Sequence, residues 1–305
     1  MDAKVPAGVR IASTRRVAFM MSNAIGDSLI LMVIVQNLRA SGIDVCVFGT
    51  PVHALRHWFP HVEIHPLPRE AHCAARLEPF DAVVQMHRHQ PFAKLTNAHP
   101  HVIDLHDVEY GDGPGCMAER FARFSRTHFG AAGSTTDNGI VAPATLKHRR
   151  HRHRVVIHPE ASTHDKRWSP ARFIALGKRL QALGYEVCFV IAPNERERWH
   201  GLEQRGIAAP HFDDLHALAC WLYESGWFIG NDSGIGHLAS NLSIPTISLF
   251  RRRAVAERWR PAWGTVRVVL PRQWIPTARL KEKFWREALT CRRVVKVFRQ
   301  LAEQA

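Results

Sequence analysis

The densest run of chemically able residues is Gly230-Asn231-Asp232-Ser233-Gly234-Ile235-Gly236-His237, set between two apolar runs. Glycines, a hydroxyl and backbone amides at a helix start can hold phosphate or sugar oxygens. Asp232 and His237 add directed hydrogen bonds to hydroxyls. The same residues also suit an ordinary tight turn, with Asp232 or Ser233 as helix cap and His237 packed inward. Upstream, His158-Pro159-Glu160-Ala161-Ser162 leaves an apolar run, and Lys166-Arg167-Trp168 precedes Ser169-Pro170, a well-formed helix start. Lys166 either meets a phosphate as a point charge or sits solvated in its loop. Near the N-terminus, Gly26-Asp27 opens a helix, so Asp27 either faces a ligand or caps that helix. Five arginines lie within residues 251–260, and Arg251 and Arg252 follow a strand directly. They are placed for a diphosphate or for phosphates of nucleic acid, or they form a solvated basic face.

Other chemistries fail on spacing. The Gly26 loop lacks GxGxxG, and GxxxxGK[ST], HExxH, GxSxG and DxD are absent. His53, His57, His61 and His65 recur every four residues, but Pro60 interrupts any helix they could share. No metal site is expected. The six cysteines form no CxxC pair, and Cys46 and Cys188 read as buried thiols of a reducing compartment. Residues 1–11 lack the apolar core of a signal peptide, and Leu29–Val35 is far too short to span a bilayer. A cytoplasmic protein is expected, one able to touch a membrane from outside. The formal charge of +14 favours an anionic partner without choosing among nucleic acid, phospholipid and phosphorylated small molecules.

The elements that must position these residues alternate. Strands are expected at 17–21, 44–48, 81–84 and 102–105, with a helix over 28–39, which makes a parallel α/β domain. The run KHRRHRHR at 147–154 has no apolar member and marks a boundary. Strands at 155–157, 186–191, 227–229 and 246–250, with helices over 170–183, 215–223 and 236–242, make a second α/β domain. The expected domains are 1–146 and 147–279, followed by a basic helical segment over 280–305. Ligands in such folds bind at strand carboxyl ends, which draws attention to loops 22–28, 158–168, 192–196, 230–237 and 251–263.

Three segments together resemble glycosyltransferase family 9, the bacterial lipopolysaccharide heptosyltransferases. They are Ile25–Leu29 (IGDSL), His158–Trp168 (HPEASTHDKRW) and Gly230–Pro245 (GNDSGIGHLASNLSIP). The resemblance implies a GT-B fold of two Rossmann-like domains facing across a cleft, the acceptor on the first and a nucleotide sugar on the second. It implies Asp27 as general base, Ser162 and Lys166 near the donor phosphates, and Asn231, Asp232, Ser233, Gly234 and His237 on the donor sugar and its diphosphate. Arg251 and Arg252 are further candidates for phosphate or acceptor contacts. Inversion without an essential metal or other cofactor is implied, and the 280–305 helix is expected to pack back toward the first domain. Three positions depart from the family pattern. Glu160 stands where glycine is usual, Val33 where proline is frequent, and Arg251 where a glycine commonly follows the strand.

The reading is therefore an inverting, metal-independent transferase moving a sugar, heptose first, from an ADP-sugar to a lipopolysaccharide core or other anionic surface glycan. It would work at the cytoplasmic face of the inner membrane. One alternative is a relative using a UDP- or GDP-sugar; another is a degenerate member that binds sugar nucleotide or glycan without turnover. Nucleic acid is not expected as a partner, since no RRM or zinc-finger signature occurs.

Overall fold

Val17, Ala18, Phe19 and Met20 are apolar at consecutive positions, so the strand carrying them must be covered on both faces, as in a parallel sheet. The computed structural model describes residues 14–272 and 284–304. The N-terminal stretch judged for a signal peptide and the expected boundary at 279 lie outside these residues. By contacts the chain divides into Met1–Pro143 and Ala144–Ala305.

The first unit runs β1 (Arg16–Met20), α1 (Ile25–Ala40), β2 (Asp44–Phe48), α2 (Thr50–Ala54), β3 (Glu63–His65), α3 (Cys73–Leu77), β4 (Ala82–Gln85), β5 (Val102–Asp104), α4 (His106–Tyr110) and α5 (Met117–Phe129). Its strands are all parallel, in the order β3-β2-β1-β4-β5. Helix α1 is buried from Leu29 to Val35 because α5 packs on it from outside the sheet. Asn37 and Asn138 fix it further: Asn37 Nδ2 donates to the Thr135 carbonyl at 2.9 Å, and Asn138 Nδ2 to that of Leu29 at 3.0 Å. Helix α5 was not expected from the sequence, although its apolar positions Phe121 and Phe124 are buried.

The second unit runs β6 (His151–His158), α6 (Pro170–Gln181), β7 (Glu186–Phe189), α7 (Leu215–Tyr223), β8 (Ser225–Asn231), α8 (Gly234–Asn241), β9 (Thr246–Leu249), α9 (Arg253–Trp259), β10 (Val266–Val269) and α10 (Cys291–Ala302). Its parallel order is β10-β9-β8-β6-β7. Both units are thus open parallel α/β layers, and the fold is GT-B-like. No helix among the described residues is long and apolar enough to cross a membrane.

The second half of the basic run 147–154 begins β6, and Arg149 and Arg154 lie on aromatic rings of the second unit. Arg149 sits 4.9 Å from the Trp227 ring centroid and Arg154 4.6 Å from that of Trp221. Aliphatic stems covering indole faces explain why a segment without apolar residues still packs. Val294, Phe298 and Leu301 of α10 join the core of the second unit, with Trp227 and Phe173, and α10 packs on α6 and β10.

Candidate functional site

In an open parallel sheet the crevice forms where neighbouring strands are reached by connections running in opposite directions. That point lies between β1 and β4 in the first unit and between β6 and β8 in the second. The sequence-selected residues fall on these two points: Asp27 follows β1, Lys166 follows β6, and Asp232 follows β8.

Asp27 does not cap its helix. Ala24 is the N-cap, and Asp27 lies in the first turn of α1, where the helix dipole favours a carboxylate. Its Oδ2 accepts from Ser22 Oγ at 3.3 Å and lies 3.0 Å from Nε2 of His87, just beyond β4. The other ring nitrogen of His87 is 2.9 Å from Oε2 of Glu109, a buried residue of α4. Hydrogen bonds to the Asp27 and Glu109 carboxylates raise the His87 pKa to about 10. The sequence singled out neither His87 nor Glu109 for this role. His87 reaches Asp27, and Glu109 reaches His87, only through tertiary structure, and His87 was one of 20 histidines.

In the second unit Lys166 Nζ pairs with Asp232 Oδ2 at 3.0 Å, the lysine more exposed than the aspartate. Beside them α8 begins at Gly234, whose first amides have no acceptor within the helix. The Ser233 hydroxyl is shut off from solvent without a hydrogen-bond partner among the described residues. His237 is buried inside α8 with its ring 6.5 Å edge-on to Trp263. Ser162 is exposed in the loop after β6.

Asn231, expected on the donor, is instead a bracket. Its Oδ1 accepts from the Trp168 amide at 3.1 Å and its Nδ2 donates to the Pro159 carbonyl at 2.7 Å, tying the two loops together. Trp168 is 1% exposed, and its Nε1 donates to the Leu289 carbonyl at 3.0 Å. Arg286 Nε reaches the Arg167 carbonyl at 2.7 Å. The segment before α10 therefore fastens the lysine loop. His158 is held likewise, with Nδ1 donating to the Val190 carbonyl at 3.0 Å and burial lowering its pKa. Gly230 is needed for packing, since a Cβ there would stand 2.9 Å from the Phe228 ring and 3.0 Å from the His158 carbonyl oxygen.

Two departures from the family pattern prove compensated. Glu160 is 1% exposed and does not present a bare charge to an anion. Arg198 Nη1 bonds both its oxygens at 2.9 and 3.0 Å, Arg167 Nε lies at 2.8 Å, and Trp199 Nε1 donates at 2.7 Å. Arg251 pairs with Asp165 of the lysine loop at 2.6 Å, and Arg252 is exposed at the N-cap of α9.

One group departs from the expectation of no metal site. Cys46, Glu63 and His65, on adjacent strands β2 and β3, place possible ligand atoms within 4.8 Å of one another. His65 Nε2 is hydrogen-bonded to Glu63 at 2.7 Å, and burial, then Glu63, pushes the Cys46 thiol up to about 12.

Residues 120–286 match the model of glycosyltransferase family 9 (heptosyltransferase), more than half of the chain. The chain belongs to this family. The match contains Lys166, Asp232 and Ser233 but not Asp27. No curated protein matches by sequence. Among solved structures, Escherichia coli ADP-heptose lipopolysaccharide heptosyltransferase II is 16% identical over 95% of this chain and all of its own, TM-score 0.72. A family 9 glycosyltransferase from Veillonella parvula is 14% identical over 95% of this chain and 98% of its own, TM-score 0.72. An iron-containing dodecameric glycosyltransferase, TibC, from enterotoxigenic E. coli is 14% identical over 95% of this chain and 77% of its own, TM-score 0.61.

Proposed function

We propose that the chain transfers a sugar, heptose first among candidates, from an ADP-sugar to a hydroxyl of a lipopolysaccharide core or other anionic surface glycan. Transfer inverts the anomeric carbon and needs no metal. The observation that carries this reading is the Lys166–Asp232 pair beside the start of α8, inside the family match. An arriving diphosphate draws Lys166 from Asp232, while the α8 amides and the Ser233 hydroxyl take its oxygens. Asp232 is then released to a sugar hydroxyl.

Asp27 acts as general base on the acceptor hydroxyl. That oxygen bonds to the anomeric carbon as the bond to the diphosphate breaks, and one displacement inverts the configuration. Charge gathering on the leaving diphosphate meets Lys166 and Arg251, the part a divalent ion plays elsewhere. The +14 charge supports an anionic acceptor and work at the cytoplasmic face of the inner membrane. Vesicles with and without anionic lipid test the location.

Calorimetric binding of ADP, UDP and GDP in EDTA, to wild type and Lys166→Ala, tests the donor site. Selective ADP binding weakened by the substitution supports the reading, and preference for UDP or GDP redirects the donor. Absence of binding to all three favours a non-catalytic member. Turnover restored only by added metal would refute metal independence.

A further inference from the structure

We propose that His87 and Glu109 position the general base: His87 occupies one carboxylate oxygen of Asp27, so that the other faces the acceptor hydroxyl. The inference rests on Asp27 being that base. Both ring nitrogens of His87 face carboxylate oxygens, at 3.0 Å for Asp27 and 2.9 Å for Glu109. A carboxylate only accepts, so both nitrogens must donate, and the ring is an imidazolium. A neutral ring would turn a lone pair toward one of the two oxygens. The raised pKa of about 10 agrees with this.

The arrangement also assigns separate tasks to the two acids. The Glu109 side chain is 2% exposed, whereas that of Asp27 is 24% exposed. Glu109 is thus the buried anchor that orients the ring, and Asp27 is the carboxylate open to a substrate. Oδ2 of Asp27 already receives the His87 and Ser22 donors, which leaves Oδ1 to take the hydroxyl proton as the glycosidic bond forms. That proton later passes from Oδ1 to water.

The charged groups packed about His87 are Asp27 from α1 and Glu109 from α4. Next to it Arg88 pairs with Asp104 of β5 at 3.3 Å. Arg120 of α5 donates to the Val108 and Gly111 carbonyls flanking Glu109. Removing Glu109 therefore lowers the pH at which His87 loses its proton, while Asp27 keeps it above the ordinary histidine value.

The test combines imidazole nitrogen NMR with pH-dependent turnover on ADP-heptose and a core glycan acceptor, in wild type, His87→Gln, Glu109→Gln and Asp27→Asn. In wild type His87 should stay doubly protonated until the pH approaches 10. In Glu109→Gln the NMR midpoint and the alkaline fall of kcat should move down together by a unit or more. His87→Gln should lower kcat on the order of 10²-fold, the cost of a misdirected group, with ADP affinity unchanged as proof of folding. A wild-type His87 titrating near 6.5 overturns the inference whatever the rates. So does an unaltered kcat in His87→Gln when Asp27→Asn is inactive. An active Asp27→Asn variant refutes Asp27 as base, and so the reading beneath the inference, while the NMR midpoints still report the charge on His87.

Discussion

The two switch points share a topology and differ in charge. Between β1 and β4 two carboxylates enclose one imidazole, Asp27–His87–Glu109. Between β6 and β8 a cation stands against a single acid, Lys166–Asp232, with Arg251–Asp165 beside it. The first arrangement suits taking a proton and the second suits receiving an anion. The same strand-loop-helix syntax thus becomes base or anion holder by the sign of the side chains at the strand ends.

The sharpest way to break this contrast is Asp27→Asn. The amide preserves shape and removes basicity, so turnover should fall about 10²–10⁴-fold while ADP binding, which the proposal assigns to the other unit, stays within twofold by calorimetry. A matching loss of ADP affinity would show that the two switch points do not divide the work.

Next in size is Glu160→Gln. Among the described acids of the second unit, Glu160 is the fully buried one, and its two oxygens answer Arg167, Arg198 and Trp199. Removing the charge leaves Arg167 and the half-exposed Arg198 to be compensated partly by water and weakens the Trp199 bond, at a cost of about 1–3 kcal/mol. Thermal unfolding should show a fall in Tm even with ligand absent. An unchanged Tm would mean that Glu160 serves the ligand rather than the fold.

These two acids also show what the sequence could tell. Asp27, Lys166 and the 230–237 run were legible because each stands in a local strand-loop-helix grammar that needs no knowledge of distant chain. Glu160 was visible as a departure but not as a paired group, since Arg198 and Trp199 arrive from a loop 38 and 39 residues away. His87 reaches Asp27 across 60 residues. The alternation of strands and helices gave four strands of each sheet and missed the edge strands β3 and β10, and the basic start of β6 read as a boundary because cation–aromatic packing leaves no apolar pattern. In the final helix the sequence showed a basic surface, while its inward positions Val294, Phe298 and Leu301 took their place in the second unit's core only in the structure.

Lys166→Ala should act more gently than either substitution above. The lysine side chain is 38% exposed, so its pair with Asp232 adds little stability in the absence of ligand. ADP affinity should fall roughly tenfold, about 1.4 kcal/mol, and the remaining affinity should depend less on salt. Unchanged affinity would take the lysine out of the anion site and leave the α8 start as its main element.

The smallest expected effect separates two roles for Arg251. Its bond to Asp165 joins the strand end after β9 to the loop carrying Lys166, and Asp165 is half-exposed, so the pair is worth less than about 1 kcal/mol. Arg251→Gly restores the residue that commonly follows this strand in the family. As a strut, the arginine would be missed only in the order of the lysine loop, and ADP affinity should change less than twofold. As a phosphate ligand it would be missed in the complex: affinity should fall several-fold, and by less when Lys166 is already alanine, because both cations would answer the same charge. The double-mutant cycle, read by calorimetry at two salt concentrations, therefore decides whether the second switch point holds its anion with one cation or two.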